Sequence, residues 1–114
     1  MEAFQLRTSD GRTVCERCAR AESPLQRMRG LLGRRSLEPG EGILLRPAGS
    51  IHTAFMRFAI DAVWVDRELN VLKVSHDIAP WRTAGCKGAK GVVELAAGEA
   101  NRVGVSAGDK LKLA

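Results

Sequence analysis

The run SIHTAFMRFAIDAVWVD, residues 50–66, carries His52, Arg57 and Asp61 inside a stretch apolar enough to be core. An isolated charge in a dry interior is costly, so these groups must either pair with one another or face a ligand. A guanidinium offers five donors in a planar fork that suits carboxylates and phosphates. Imidazole and carboxyl groups instead hold or move a proton. With Arg27 upstream and Glu94 downstream, the candidate ligand-binding set is Arg27, His52, Arg57, Asp61 and Glu94. The leading expectation pairs Arg57 with Asp61 or Glu94 as an internal cross-link. Where that cluster opens to water, it would take a small anionic ligand or an acidic partner. His52, two residues before Ala54, reads as a satisfied strand histidine before it reads as a ligand.

Catalysis has weaker support. A hydrolase-like or transferase-like site would use His52 with Asp61 or Glu94, and Cys86 would need His52 or His76 beside it to act as a nucleophile. The chain has no HExxH, P-loop or GxSxG motif, and the glycines of GCKGAKG lack the order and the following helix of a phosphate loop. No catalytic residue is assigned, and the reading leans away from an enzyme.

The CERC stretch holds Cys15 and Cys18 without a strand-to-helix turn ahead of Cys15, so it lacks the helix N-terminus that would activate a redox thiol. The remaining ligand types, Cys86, His52 and His76, are scattered and make no second close pair for zinc. The thiols are expected to be small, half-buried groups. No metal and no cofactor are expected.

One domain over residues 1–114 suits a chain of this length, with formal net charge +5 and 27% charged residues. Thirteen of the eighteen basic residues are Arg, and only five residues are aromatic. The positive charge admits anionic partners. Scarce aromatics and no basic block disfavour nucleic acid, which stays as a second alternative through the Arg-rich stretch RMRGLLGRR. The acid at position 2 and the missing apolar run argue against a signal peptide or a membrane span, giving a cytoplasmic expectation. The sequence does not specify the oligomeric state.

Elements that could position the candidates follow from pattern. Ser23 as N-cap, Pro24 at the first helical position and Gly33 as stop predict a helix seated through Leu25, Met28, Leu31 and Leu32. Arg27 and Arg34 share another side of it. After the turn EPGEG, strands are predicted at GILLRP, the opening run, NVLKVSHDI, GVVEL and DKLKL, with a hairpin turning at 66–70 and a short helical turn in AGEANRVG. RTVCERCARA fits either strand or helix. Trp64 is expected in the core. Trp81, on a loop beside Arg82, is expected to cover the end of the sheet, an interface role being the alternative.

Three ordered segments, RMRGLLGR, IHTAFMRFAIDAVWVD and VVELAAGEANRVGVSAGD, together resemble the bacterial and archaeal domain-of-unknown-function family numbered 192, over about residues 20–113. Arg27, Gly30, Met56, Arg57, Asp61 and Glu94 fall on that family's motif positions, and Ala59 stands where the family usually has Pro. The resemblance implies an α+β domain that is mainly β, a compact barrel-like sheet of short strands with one principal helix packed against it. It implies no established activity. The combined expectation is a non-catalytic binding or accessory module.

Overall fold

The computed structural model describes residues 3–23, 26, 31 and 33–114. Among these the chain forms β1 (Ala3–Thr8), β2 (Thr13–Ala21), β3 (Glu41–Leu45), β4 (Ser50–His52), β5 (Ile60–Val65), β6 (Val71–Ile78), β7 (Thr83–Gly85), β8 (Gly91–Ala96), the short helix α1 (Glu99–Val103) and β9 (Leu111–Leu113). Seven strands make one sheet in the order β6-β5-β8-β3-β2-β1-β9, and β4 pairs with β7 separately. All pairings are antiparallel except β2 with β3.

The expected mainly β architecture is present, but the sheet is not closed into a barrel. Its end strands, β6 and β9, meet at one isolated bridge, Asn70 with Lys110, rather than along a ladder. No helix among the described residues is long and apolar enough to cross a membrane.

Core packs on both faces of the sheet, which is why β5 is buried at all six positions. Val63 and Val65 join Val93, Leu95, Leu44, Leu6 and Ala100 on one face. Ile60, Ala62 and Trp64 join Val92, Ile43, Leu37, Met56 and Leu31 on the other. Trp64 is fully buried, as expected, and its indole N–H donates to Ser75 Oγ at 3.0 Å. The small β4–β7 sheet leans on this second face through Ile51 and Ala84.

Residues 13–21 are strand. The ambiguity has a physical source: Phe4 pairs with Cys18 and Leu6 with Cys15, so one residue of β1 faces two of β2 in a bulge. That extra residue breaks alternation and turns both thiols inward, fully buried rather than half-buried. The predicted run at 50–66 also divides, with β4 and β5 flanking an irregular segment at 53–59.

Of the helix predicted from Ser23, the described residues show the Ser23–Gln26 contact. Ser23 Oγ accepts the Gln26 N–H at 3.1 Å while Gln26 Oε1 accepts the Ser23 N–H at 3.4 Å, the reciprocal pair of a capping box. Residues 24, 25, 27–30 and 32 of that predicted helix, Arg27 and Gly30 included, lie outside the described residues. Arg34 ion-pairs with Glu41 at 3.0 Å.

The middle of the sheet is tight at Gly42 of β3. A Cβ there would lie 2.8 Å from Leu95 Cδ2, 2.9 Å from the Glu94 carbonyl and 3.0 Å from Cys15 Sγ. The carbonyl belongs to a paired strand and cannot move cheaply. Gly42→Ala is therefore expected to lower stability by about 1–3 kcal/mol through overpacking, read by urea unfolding. An unchanged midpoint would show that the strands are less closely packed.

Candidate functional site

The candidate site begins at the open end of the β5–β6 hairpin. Ile60 pairs with Ile78 and Ala62 with Ser75, so Asp61 faces two residues, His76 and Asp77, across a bulge. Asp77 sits there at φ 52. Its N–H, displaced from the ladder, donates to Asp61 Oδ1 at 2.9 Å. The other carboxylate oxygen accepts the N–H groups of Gly98 and Ala100, both at 3.0 Å. Asp61 is fully buried, and these three backbone donors offset the removal of its charge from water.

This replaces the expected Arg57–Asp61 pair. Arg57 is exposed and, among the described residues, makes no hydrogen bond or ion pair. Glu94 does not hold it either. The two acids occupy opposite faces of the sheet: Asp61 lies with Val63 and Val65, Glu94 with Val92. Glu94 stands between Ile43 on β3 and Ala62 on β5, and burial pushes its carboxyl up to about 7. Among the described residues, no cross-link at Arg57 joins distant strands.

Instead, His52 and Arg57 stand in sequence on either side of Phe55, one of a pair of touching rings. The Phe55 and Trp81 rings lie 4.6 Å apart between centroids and tilted by 60°, yet Phe55 is 71% exposed and Trp81 60% exposed. Both have left-handed backbone, at φ 65 and φ 64. That conformation is strained for bulky side chains and needs a surrounding structure that enforces it.

Thr53 does the enforcing. Fully buried, its hydroxyl donates to the Ala79 carbonyl at 2.7 Å and accepts the Arg82 N–H at 2.8 Å. Its backbone N–H donates to the Arg82 carbonyl at 2.8 Å, and its carbonyl accepts the N–H of Trp81 at 3.0 Å and of Met56 at 3.2 Å. One residue thus ties the 53–59 segment to the 79–82 turn. Trp81 consequently does not seal the end of the sheet; it stands out with Phe55. Exposed His52, Arg57 and Arg82 flank the two rings in sequence, and Arg82 Nη1 donates to the Trp81 carbonyl at 3.3 Å.

The acid–base set named from sequence is not assembled. The Asp61 carboxylate is occupied by backbone donors. His52 alternates with Ile51, whose side chain packs toward the face that holds Glu94, so the imidazole points away from that acid. Cys86 Sγ lies 3.6 Å from the Lys87 carbonyl, with neither His beside it among the described contacts. The thiols of Cys15 and Cys18 interact, and that contact together with burial drives the Cys18 thiol far up, keeping it protonated. Among the described residues no three His, Cys, Asp or Glu side chains gather as a metal-binding group.

Thr53 and Phe55 were not singled out by sequence reasoning. The available signal was local: two small-residue-to-aromatic steps, Ala54–Phe55 and Pro80–Trp81, sit in irregular backbone just outside paired strands.

Compared with known proteins, residues 5–113 match the family DUF192, described as "Uncharacterized ACR". No curated protein matches the chain. Two solved structures share its fold. A Sinorhizobium meliloti protein, described provisionally as a transcription regulator, has TM-score 0.85 and 26% identity, over 98% of this chain and 92% of that one. A Novosphingobium aromaticivorans protein of unknown function has TM-score 0.82 and 20% identity, over 96% of this chain and 83% of that one.

Glu94 yields a pH prediction. Its carboxyl ionises near 4.5 in the unfolded chain and near 7 in the fold. Between those values the unfolded chain has lost a proton that the native state keeps, so stability falls as pH rises through the window and levels off above it. The expected loss is on the order of 3 kcal/mol. Glu94→Gln should match the parent near pH 4.5 and exceed it in urea resistance at about pH 8. Equal pH profiles for the two proteins would contradict this assignment.

Proposed function

The chain belongs to the DUF192 family, and from that premise we propose that it is a non-catalytic binding module that docks an acidic segment of a partner protein against Phe55 and Trp81. The exposed ring pair on two strained backbones carries the reading. Left-handed φ at a bulky residue costs on the order of 1–3 kcal/mol, and here two such residues bury little apolar surface in return. A fold selected for stability alone has no use for that arrangement.

Charge favours an acidic partner. His52, Arg57 and Arg82 lie next to the rings in sequence, are exposed and have no carboxylate within ion-pairing distance among the described residues. Trp and Arg are enriched among residues that dominate binding energy, because they combine large contact area with directional donors. The two rings are tilted by 60° to each other, unlike the successive stacking platforms of single-strand nucleic-acid binders. The provisional regulator description of the Sinorhizobium meliloti protein is compatible with contact through another protein.

Selection of displayed random peptides on the immobilised chain tests the proposal. The expected outcome is enrichment of Asp- and Glu-rich peptides whose affinity drops about tenfold or more with Trp81→Ala and with Arg57→Glu, at unchanged melting temperature. Peptides that bind both variants as well as the parent would overturn it. So would a labelled single-stranded oligonucleotide that binds tighter than any peptide and loses affinity with the same substitutions.

A further inference from the structure

A second basic site uses none of these residues. Arg46, Pro47, Arg67 and Lys90, with Glu22, line a groove of about 340 Å³. That is within the range of small-molecule sites. Three cations against one carboxylate leave two positive charges uncancelled. Glu22 accepts from Arg46 Nη2 at 3.3 Å and ion-pairs with Arg20 at 3.4 Å, so it is already engaged by guanidinium groups. Arg67 and Lys90 have no ion pair or side-chain hydrogen bond among the described residues.

The backbone under each cation is pinned. Arg46 N–H donates to the Ala21 carbonyl at 3.1 Å, and Lys90 N–H donates to the Val65 carbonyl at 2.9 Å. The Lys90 carbonyl accepts the Ala48 N–H at 3.2 Å. Arg67 sits in a turn organised by Asp66, which accepts the N–H groups of Glu68 and Asn70, both at 2.9 Å.

Arg46 itself is seated by an absent side chain. A Cβ on Gly91 would fall 2.8 Å from Arg46 Cγ, 3.2 Å from the Leu45 carbonyl and 3.3 Å from Val65 Cγ2. The stem of Arg46 therefore lies across the bare backbone of β8. Its Nη2 reaches Glu22, but its Nε–H is buried without an acceptor among the described residues, so that end of the guanidinium is not satisfied by them.

From the net charge, the size and the seating of Arg46, we propose that this groove binds a phosphorylated small molecule, its phosphate monoester dianion held between Arg46, Arg67 and Lys90. A dianion matches the two uncancelled charges, and guanidinium groups give phosphate directional, charge-assisted hydrogen bonds.

Amide NMR titration of the full chain with glycerol 3-phosphate tests this, with inorganic phosphate as the minimal probe. Saturable shifts are expected at the amides of Arg46, Ala48, Arg67 and Lys90. Arg67→Gln and Lys90→Gln should each weaken binding several-fold, and the pair about tenfold or more, whereas Lys112→Gln, which removes an exposed charge on β9, should leave affinity unchanged. Gly91→Ala should weaken binding at constant net charge by lifting Arg46. If Gly91→Ala does not fold, the Arg67 and Lys90 variants decide alone. Shifts that do not saturate, or equal losses from Lys112→Gln and Lys90→Gln, would show only general attraction to a basic surface and overturn the site. These readouts do not involve the Phe55–Trp81 face, so either proposal can fail without the other.

Discussion

The buried carboxylate of Asp61 is the constraint on which the irregular half of this fold depends. It sits in a strand with core on both sides, where a charge without partners would be untenable. Three backbone N–H groups from two separate connections converge on it: Asp77 at the β6 bulge, and Gly98 and Ala100 around the start of α1. Asp77 lies at a register shift of the β5–β6 ladder, and Gly98 and Ala100 lie beyond the end of β8. The carboxylate therefore replaces ladder hydrogen bonds where the ladder stops, and it fixes both how β6 ends and where α1 begins.

Both loops of the ring-bearing surface emerge from that fixed end. The 53–59 segment leads into β5, and the 79–82 turn leaves β6, so Asp61 sets the separation of their roots. Thr53 then joins them at their far ends with its hydroxyl and both its backbone groups. The same device recurs at Asp66 in the β5–β6 turn and at Glu99, which accepts the Gly40 N–H at 3.0 Å while Arg102 holds its carboxyl below the usual range. Single polar side chains organise each connection. Rigid connections let Phe55 and Trp81 stay exposed on left-handed backbone without collapsing onto the core.

Strands with clean alternation or flanking turn residues were legible in the sequence: β3, β6, β8, β9 and the latter half of β5, together with the short α1. The bulged β2 was not, because Cys15 and Cys18 face the same way only when an extra residue breaks the period. Asp61 and Glu94 were recognisable as unusual, but their surroundings were not. Reasoning from residue types matches acids to side-chain cations, whereas Asp61 found backbone donors and Glu94 is pushed toward its neutral form by burial. The basic groove was invisible for another reason. Arg46, Arg67 and Lys90 each stand at or beside a turn, more than twenty residues apart, and only the strand order brings those turns together.

Amide hydrogen exchange on Asp61→Ala beside the parent chain tests the central role of this carboxylate most directly. In the variant, Asp77, Gly98 and Ala100 are expected to lose protection as a group and Trp81 and Arg82 to follow, while amides of the β1–β2 pair keep theirs. Undiminished protection at Asp77, Gly98 and Ala100 would contradict that role, since those three donors would then owe their order to something other than Asp61.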